Sequence, residues 1–265
     1  MYPFTYQRPT SLEEAVAAIA AADDAKLIAG GHTLLPTMKL RLASPSTLID
    51  LNKVEGLAGI EIKGDAVVIG AMTRHGEVAG SAAVGEAIPA LAALAAVIGD
   101  PAVRSRGTIG GSIANNDPAA DYPAAALALG ATILTDRREI VADDFFTGLF
   151  ETALEEGEIV TAVSFPIPDH AAYEKFRNPA SRYALVGVFV AEKGGKVRVA
   201  VTGAGSDGVF RHTAAEEALS GRFDPAALEG VSVSADDLNG DIHASAEYRA
   251  HLIGVLTRRA VAAAQ

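Results

Sequence analysis

Ala29-Gly30-Gly31-His32-Thr33 and Thr108-Ile109-Gly110-Gly111-Ser112 stand about 80 residues apart, and each sets a hydroxyl beside backbone that no side chain shields. A phosphate oxygen is held by several N–H donors converging at about 2.9 Å. Consecutive residues around glycine can point their N–H groups inward, because glycine tolerates positive φ and lets a ligand come close to the backbone. The hydroxyls of Thr33, Thr108 and Ser112 are further donors. Either pair alone reads equally well as a turn between apolar runs. Two of them, both with hydroxyls and both leading toward helical sequence, suit a pyrophosphate. Neither follows the G-x-x-x-x-G-K-S/T or the G-x-G-x-x-G pattern.

The chain's 265 residues suffice for one large domain or two smaller ones. With 49% hydrophobic and 21% charged residues, the chain is expected to fold and be soluble. Its net charge is −11, from 22 Lys and Arg against 33 Asp and Glu, with no basic run. That argues against nucleic acid and anionic membranes as partners, so an anionic ligand must rely on local backbone donors. Cysteine is absent. Disulfides, thiolate nucleophiles, zinc–sulfur sites and iron–sulfur ligation are thereby excluded on this chain, and any cluster belongs to another chain. The six histidines occur singly, without H-x-H or H-E-x-x-H spacing, so no metal site is expected. The N-terminus lacks the pattern of a secretory signal, and no apolar stretch reaches the ~20 residues of a membrane span. A cytoplasmic location is the expectation.

Ser11 and Glu14 form a capping box, and Leu12, Val16 and Ile19 recur at helical spacing, which predicts a helix over 12–22. Lys26 to Ala29 reads as a buried strand broken by Gly30-Gly31, which places the first pair at a strand's carboxyl end. Leu34 to Leu42 is helical or turn-rich, and a strand follows at 47–50. Residues 60–71 read as a hairpin around Lys63-Gly64-Asp65. A helix marked by Ile88, Leu91, Leu94, Ala95 and Ile98 stops at Gly99 and Pro101. From Asp100 to Asp121 the pattern is irregular and rich in Gly, Asn and Asp; flanked by strong helices, it is expected to be an ordered ligand loop.

Asp121 opens another helix, with Pro123 in its first turn and Gly130 at its end. Strands near 131–135 and 158–165 precede Pro166-Ile167-Pro168, where two prolines interrupt helix and ladder alike. Beyond this boundary come strands at 171–177, 184–193 and 196–202, the last two joined by Gly194-Gly195. Helices from Thr213, with Glu216 completing a capping box, and from Ser245 to about Ala263 close the chain. The predicted fold class is α+β in two unequal parts, 1–167 and 168–265.

Gly203-Ala204-Gly205-Ser206-Asp207-Gly208 does spell G-x-G-x-x-G after a strand. On pattern alone it is a site for a nicotinamide dinucleotide. However, Val209 to His212 intervene before the helix, no acid ends a strand about 20 residues on, and only ~60 residues remain for a doubly wound sheet. A glycine-rich strand-to-helix loop is the better reading.

The segments AGGHT at 29–33 with the LLPTMKLRL that follows, VRSRGTIGGSIANNDPAADYPAA at 103–125, YEKFRNPASRYALVGV at 173–188 and DIHASAEYRAHLIGVLTRRA at 241–260 resemble the FAD-binding medium subunits of the molybdenum hydroxylases. That group includes carbon monoxide dehydrogenase and xanthine dehydrogenase, and the resemblance covers nearly the whole chain. It implies a two-subdomain FAD-binding domain of the vanillyl-alcohol-oxidase type, followed by a smaller C-terminal domain with a three-stranded antiparallel sheet and helices. By position, it assigns the FAD pyrophosphate to Ala29, Gly30, Gly31, His32, Thr33 and Leu34 together with Thr108, Ile109, Gly110, Gly111 and Ser112. Asp121 falls near the ribityl chain, although an aspartate there is also a good helix N-cap. Lys175 and Tyr183 are candidates for the isoalloxazine side, where Tyr183 reads equally as an ordinary strand residue. Ser112 stands where relatives often carry Asn, and Asn116 where Ala is common.

The resemblance further implies an electron-transfer subunit without a catalytic residue of its own. Its partners would be a small 2Fe–2S subunit and a large molybdopterin subunit, in a dimer of heterotrimers. A stand-alone FAD oxidoreductase of the same fold and an interaction module without cofactor are the competing readings.

Overall fold

The computed structural model describes residues 1–264. Three short strands, Thr5–Gln7, Ala25–Ile28 and Thr47–Asp50, form a parallel sheet with Thr47–Asp50 in the middle. The helix Leu12–Ala20 crosses over this sheet; Ser11 accepts from the N–H of Glu14, and Glu14 reaches back to the N–H of Thr10. Ala15, Leu51, Val54 and Leu57 close a small core with Met72 and Ile159.

A second sheet of five antiparallel strands runs in the order Ile60–Lys63, Ala66–Gly70, Val160–Pro166, Thr132–Thr135, Glu139–Val141. Its main core joins Val67, Ile69, Val163 and Phe165 to Leu91 and Leu94 of the helix Pro89–Ala96. The helix Tyr122–Leu129 is buried in all eight residues, as its uniformly apolar sequence requires, and Gly130 ends it in the left-handed conformation at φ +62°.

The third sheet holds His170–Arg177, Ala184–Lys193, Lys196–Gly205 and Gly208–Arg211, all antiparallel. One face packs on Tyr122–Leu129, and the other on Thr213–Gly221 and Ala246–Ala263. Ala184 to Ala191 is therefore buried on both sides, which accounts for its unbroken apolar run where alternation would be usual in an antiparallel sheet. Phe189, Ala191 and Ala200 join the main core of the first 168 residues, so the two halves share apolar contact.

Four expectations are corrected. The C-terminal sheet has four strands instead of three, because Gly203 to Gly208 does not lead into a helix. Gly205 pairs with Gly208 across a Ser206-Asp207 turn, and the chain returns to pair Val201 with Phe210. The supposed dinucleotide loop is a hairpin. The stretch 100–121 is less irregular than its composition suggests, since Asp100 and Thr108 cap the short helices Pro101–Arg104 and Ile109–Asn115. Finally, no capping box forms at Thr213: His212 takes the cap position, and Glu216 turns inward to accept from the N–H of Val199 and from Arg211.

Candidate functional site

The two glycine segments, 80 residues apart in sequence, touch. A Cβ on Gly30 would lie 2.4 Å from the carbonyl oxygen of Arg106 and 2.8 Å from Cα of Gly107, so glycine is what lets these backbones meet. Gly31 sits in the left-handed region at φ +74°. The chain leaves the strand Ala25–Ile28 here and turns into the helix Leu34–Lys39, while the side-chain amide of Asn52 donates to Ala29 O at 2.9 Å. Five consecutive N–H groups, from Gly30 to Leu34, have no acceptor among the described residues; the first N–H that is taken is that of Leu35, by Gly31 O. The Thr33 hydroxyl makes no capping bond, and both His32 and Thr33 are exposed. Unpaired donors beside a glycine turn form the kind of concavity that holds an anion.

The second segment is more committed. The N–H groups of Ile109 and Gly110 donate to the carbonyls of Thr73 and Ala71, and a Cβ on Gly110 would fall 2.5 Å from that of Ala71. Thr108 caps the helix Ile109–Asn115, its hydroxyl accepting from the N–H of Gly111 at 3.2 Å. What remains open is the exposed surface of Gly111, the N–H of Thr108 and the hydroxyl of Ser112, neither of which has a partner among the described residues. An added Cβ on Gly111 would meet only Thr108 Oγ1 at 2.9 Å and Ala29 Cβ at 3.7 Å, so Gly111 faces the first segment.

Beneath this junction lies His75, which sequence reasoning missed. Its N–H donates to Gly107 O, its ring packs 5.4 Å from that of Tyr122, and it is 5% exposed. Burial, aided by the nearby His32 and Arg104, lowers its pKa to about 4, so the ring is neutral at physiological pH. A single histidine between polar residues carries no sequence signal for this place. Only the approach of 107–108 to 74–75 reveals it.

At the far end of the helix Ile109–Asn115, Asn116 adopts φ 42° and ψ 50°, and its amide donates to Gly148 O and Glu151 O. Asparagine tolerates this left-handed conformation, which turns the chain into 117–121. Asp121 makes no capping bond to its helix. Its carboxylate is buried and meets Lys175 Nζ at 2.8 and 3.0 Å, with the hydroxyl of Tyr173 donating to Oδ1. Both side chains of the ion pair are at most 4% exposed, and Lys175 also reaches Val97 O at 3.3 Å. Burial raises the Asp121 pKa, against the opposing pull of Lys175. Tyr183 precedes the strand Ala184–Lys193 and is 48% exposed; burial of its inner part, with Asp117 and Asp121 nearby, raises its pKa.

The sequence-predicted residues therefore form two groups. One joins 29–34 to 108–112, and the other joins buried Asp121 to Lys175, with half-exposed Tyr183 near enough to feel the Asp121 charge. The helix Ile109–Asn115 links them over about 10 Å, at 1.5 Å of rise per residue.

Residues 2–168 match the family described as the FAD binding domain in molybdopterin dehydrogenase, and residues 171–264 match the CO dehydrogenase flavoprotein C-terminal domain. The chain is 38% identical to the carbon monoxide dehydrogenase medium chain of Hydrogenophaga pseudoflava, over 98% of this chain and 96% of that one. It is 39% identical to the nicotine 6-hydroxylase medium subunit of Paenarthrobacter nicotinovorans, over 97% and 95% respectively. Among solved structures, carbon monoxide dehydrogenase from Hydrogenophaga pseudoflava superposes with a TM-score of 0.89 at 38% identity, covering 100% of this chain and 98% of the other. Quinoline 2-oxidoreductase from Pseudomonas putida 86 gives 0.88 at 30% identity, covering 99% and 97%. With its free N–H groups at Gly30 to Leu34 suited to a pyrophosphate and its whole length matched, the chain belongs to the FAD-binding subunits of the molybdenum hydroxylase family.

Proposed function

We propose that this chain is the electron-transfer subunit of a multi-subunit molybdenum hydroxylase, receiving electrons from iron–sulfur clusters on a small 2Fe–2S subunit and delivering them through FAD to an external acceptor. A large molybdopterin subunit then supplies the substrate chemistry, and two heterotrimers assemble into a dimer. The reading is carried by one combination: five unpaired N–H groups beside a glycine turn, on a chain with no cysteine to ligate a cluster. Bound flavin exchanges electrons singly or in pairs, which suits it to join a one-electron donor to a two-electron acceptor.

In this assignment 1–167 is the FAD-binding domain and 168–265 the C-terminal domain. The N–H groups of Gly30, Gly31, His32, Thr33 and Leu34 bind the pyrophosphate, with the hydroxyls of Thr33 and Ser112 as further donors. Ala29, Ile109 and Gly110 shape the junction, and Gly111 leaves room for the ligand. Thr108 holds the helix that presents Gly111 and Ser112. The Asp121–Lys175 pair stands on the ribityl side, and half-exposed Tyr183 covers the ring side. No acid, base or nucleophile is required of this chain. Relatives of nearly equal identity carry names for carbon monoxide and for nicotine, which fits a substrate chosen on another subunit.

An absorbance spectrum of the natively isolated complex tests the proposal. Flavin and iron–sulfur bands together, with FAD released in proportion to this chain, are expected. If the purified chain alone carried flavin and oxidised an organic substrate, a stand-alone oxidoreductase would replace this reading.

A further inference from the structure

Lys175, Gly187 and Thr202 lie in one row across three strands of the C-terminal sheet, Lys175 paired with Gly187 and Gly187 with Thr202. The middle residue has no side chain and no room for one. A Cβ on Gly187 would lie 2.4 Å from the Tyr173 hydroxyl oxygen and 2.9 Å from Thr202 Cγ2. The row is a notch in the sheet, and residues 118–121 of the other domain are seated in it. Thr202 is fully buried, and its Oγ1 lies 2.6 Å from Ala120 O and 3.1 Å from Pro118 O. The N–H of Gly203 donates to Pro118 O at 2.8 Å, while Tyr173 and Lys175 hold Asp121.

The strand end that supplies these donors is itself braced from behind. Arg249, 3% exposed, donates to Leu185 O at 2.6 Å and Gly203 O at 2.9 Å, and pairs with Asp241 at 2.8 Å. Gly203 needs its φ of +83° there, and a Cβ would come within 2.4 Å of Ala184 O. Residues 118–121 belong to no helix or strand, and within their own domain their N–H groups bond only to Asp117. Apart from the N–H of Ala124 on Asp121 O, the other hydrogen bonds of 118–121 come from the notch.

We propose that this notch is the device by which the C-terminal domain sets the flavin site, with Thr202 and Tyr173 as positioning residues that hold 118–121 in its binding conformation. The inference rests on the assignment of FAD to 108–112 and Asp121 made above. A segment ordered in advance spares the ligand the entropy of ordering it, so loosening the notch weakens binding in a chain that still folds.

Thr202→Val removes the donor at nearly constant shape, Thr202→Ser restores it, and Tyr173→Phe removes only the hydroxyl on Asp121. Each is made in the 265-residue chain. FAD affinity is read by flavin-fluorescence titration, stability by melting of the FAD-free protein, and the environment of bound flavin by its visible circular dichroism. Thr202→Val is expected to raise the Kd for FAD about tenfold and alter the flavin dichroism, while the melt of the FAD-free chain falls by only roughly 2–10 °C, the cost of one orphaned buried acceptor, and the chain still folds. Thr202→Ser should return both toward the parent, and Tyr173→Phe should raise the Kd in the same direction. Parental affinity and dichroism in Thr202→Val would overturn the proposal, as would equal loss in Thr202→Ser accompanied by a collapsed melt. If Thr202→Val does not fold, Tyr173→Phe decides: a raised Kd at parental melt supports the notch, and a parental Kd refutes it. An unaltered chain that binds no FAD would instead remove the site assignment, and this inference with it.

Discussion

Replacing Gly30 and Gly111 each by alanine separates the two reasons for glycine at this site. At Gly30 the new Cβ meets backbone, 2.4 Å from Arg106 O and 2.8 Å from Gly107 Cα, whereas ordinary contact begins near 3.4 Å. The two segments must part by about 1 Å. Overpacking of this kind costs about 1–3 kcal/mol. At roughly 2–4 °C per kcal/mol for a chain of this size, the FAD-free protein should melt on the order of 5 °C lower. At Gly111 the Cβ meets only the Thr108 hydroxyl, which caps the helix, and Ala29 Cβ at 3.7 Å. Weakening that cap costs about 1 kcal/mol, and exchanging glycine for alanine inside a helix returns about as much. The melt of Gly111→Ala should therefore stay near the parent's. Its methyl nevertheless stands on the exposed surface beside 29–33, so the Kd for FAD should rise at least tenfold, about 1.4 kcal/mol. Thermal melts of FAD-free protein and FAD titration of the same samples check both arms. Parental affinity in Gly111→Ala would take that residue out of the pyrophosphate site, and an unshifted melt in Gly30→Ala would contradict the contact between segments. Gly31 is a poorer probe, because its φ of +74° strains any substitution whatever the ligand does.

Lys175→Met leaves the Asp121 carboxylate buried with Tyr173 alone, and should cost about 3–5 kcal/mol in denaturant unfolding, largely recovered by adding Asp121→Asn. A loss below about 1 kcal/mol would mean that the pair is solvated. His75 binds its proton only near pH 4 when folded but at about 6.5 when unfolded, so its contribution is full above pH 6.5 and is lost as pH falls through 4. The difference amounts to at most about 3 kcal/mol. His75→Gln should flatten the stability profile across that window, and an unchanged acid slope would show the ring to be hydrated.

Much of the site was legible locally. The cap at Ser11, the stop at Gly130 and the hairpin at Gly194-Gly195 all follow from neighbouring residues and stand where expected, and the strand before Gly30-Gly31 forms at Ala25–Ile28, though half-exposed where a buried one was expected. Local patterns misled where distant groups compete for the same atoms. Glu216 suits a capping box, yet Arg211 and the N–H of Val199 claim its carboxylate. Asp121 suits an N-cap, yet Lys175 reaches it from 54 positions away.

By itself, the sequence determined the resident chemistry: no cysteine, hence no cluster on this chain, and two glycine pairs with hydroxyls that suit a pyrophosphate. It also carried the elements whose signals repeat within a few residues, as helix periods and turn dipeptides do. Only the tertiary structure decided that the pairs meet through Gly30, that the first holds the free N–H groups while the second spends two of its own on Ala71 and Thr73, and that Gly187 opens a notch for the loop of the other domain. The reason is physical. A hydrogen bond or a missing Cβ acts through space over a few ångströms, and which atoms come that close is set by the packing of sheets that the chain brings together from far apart.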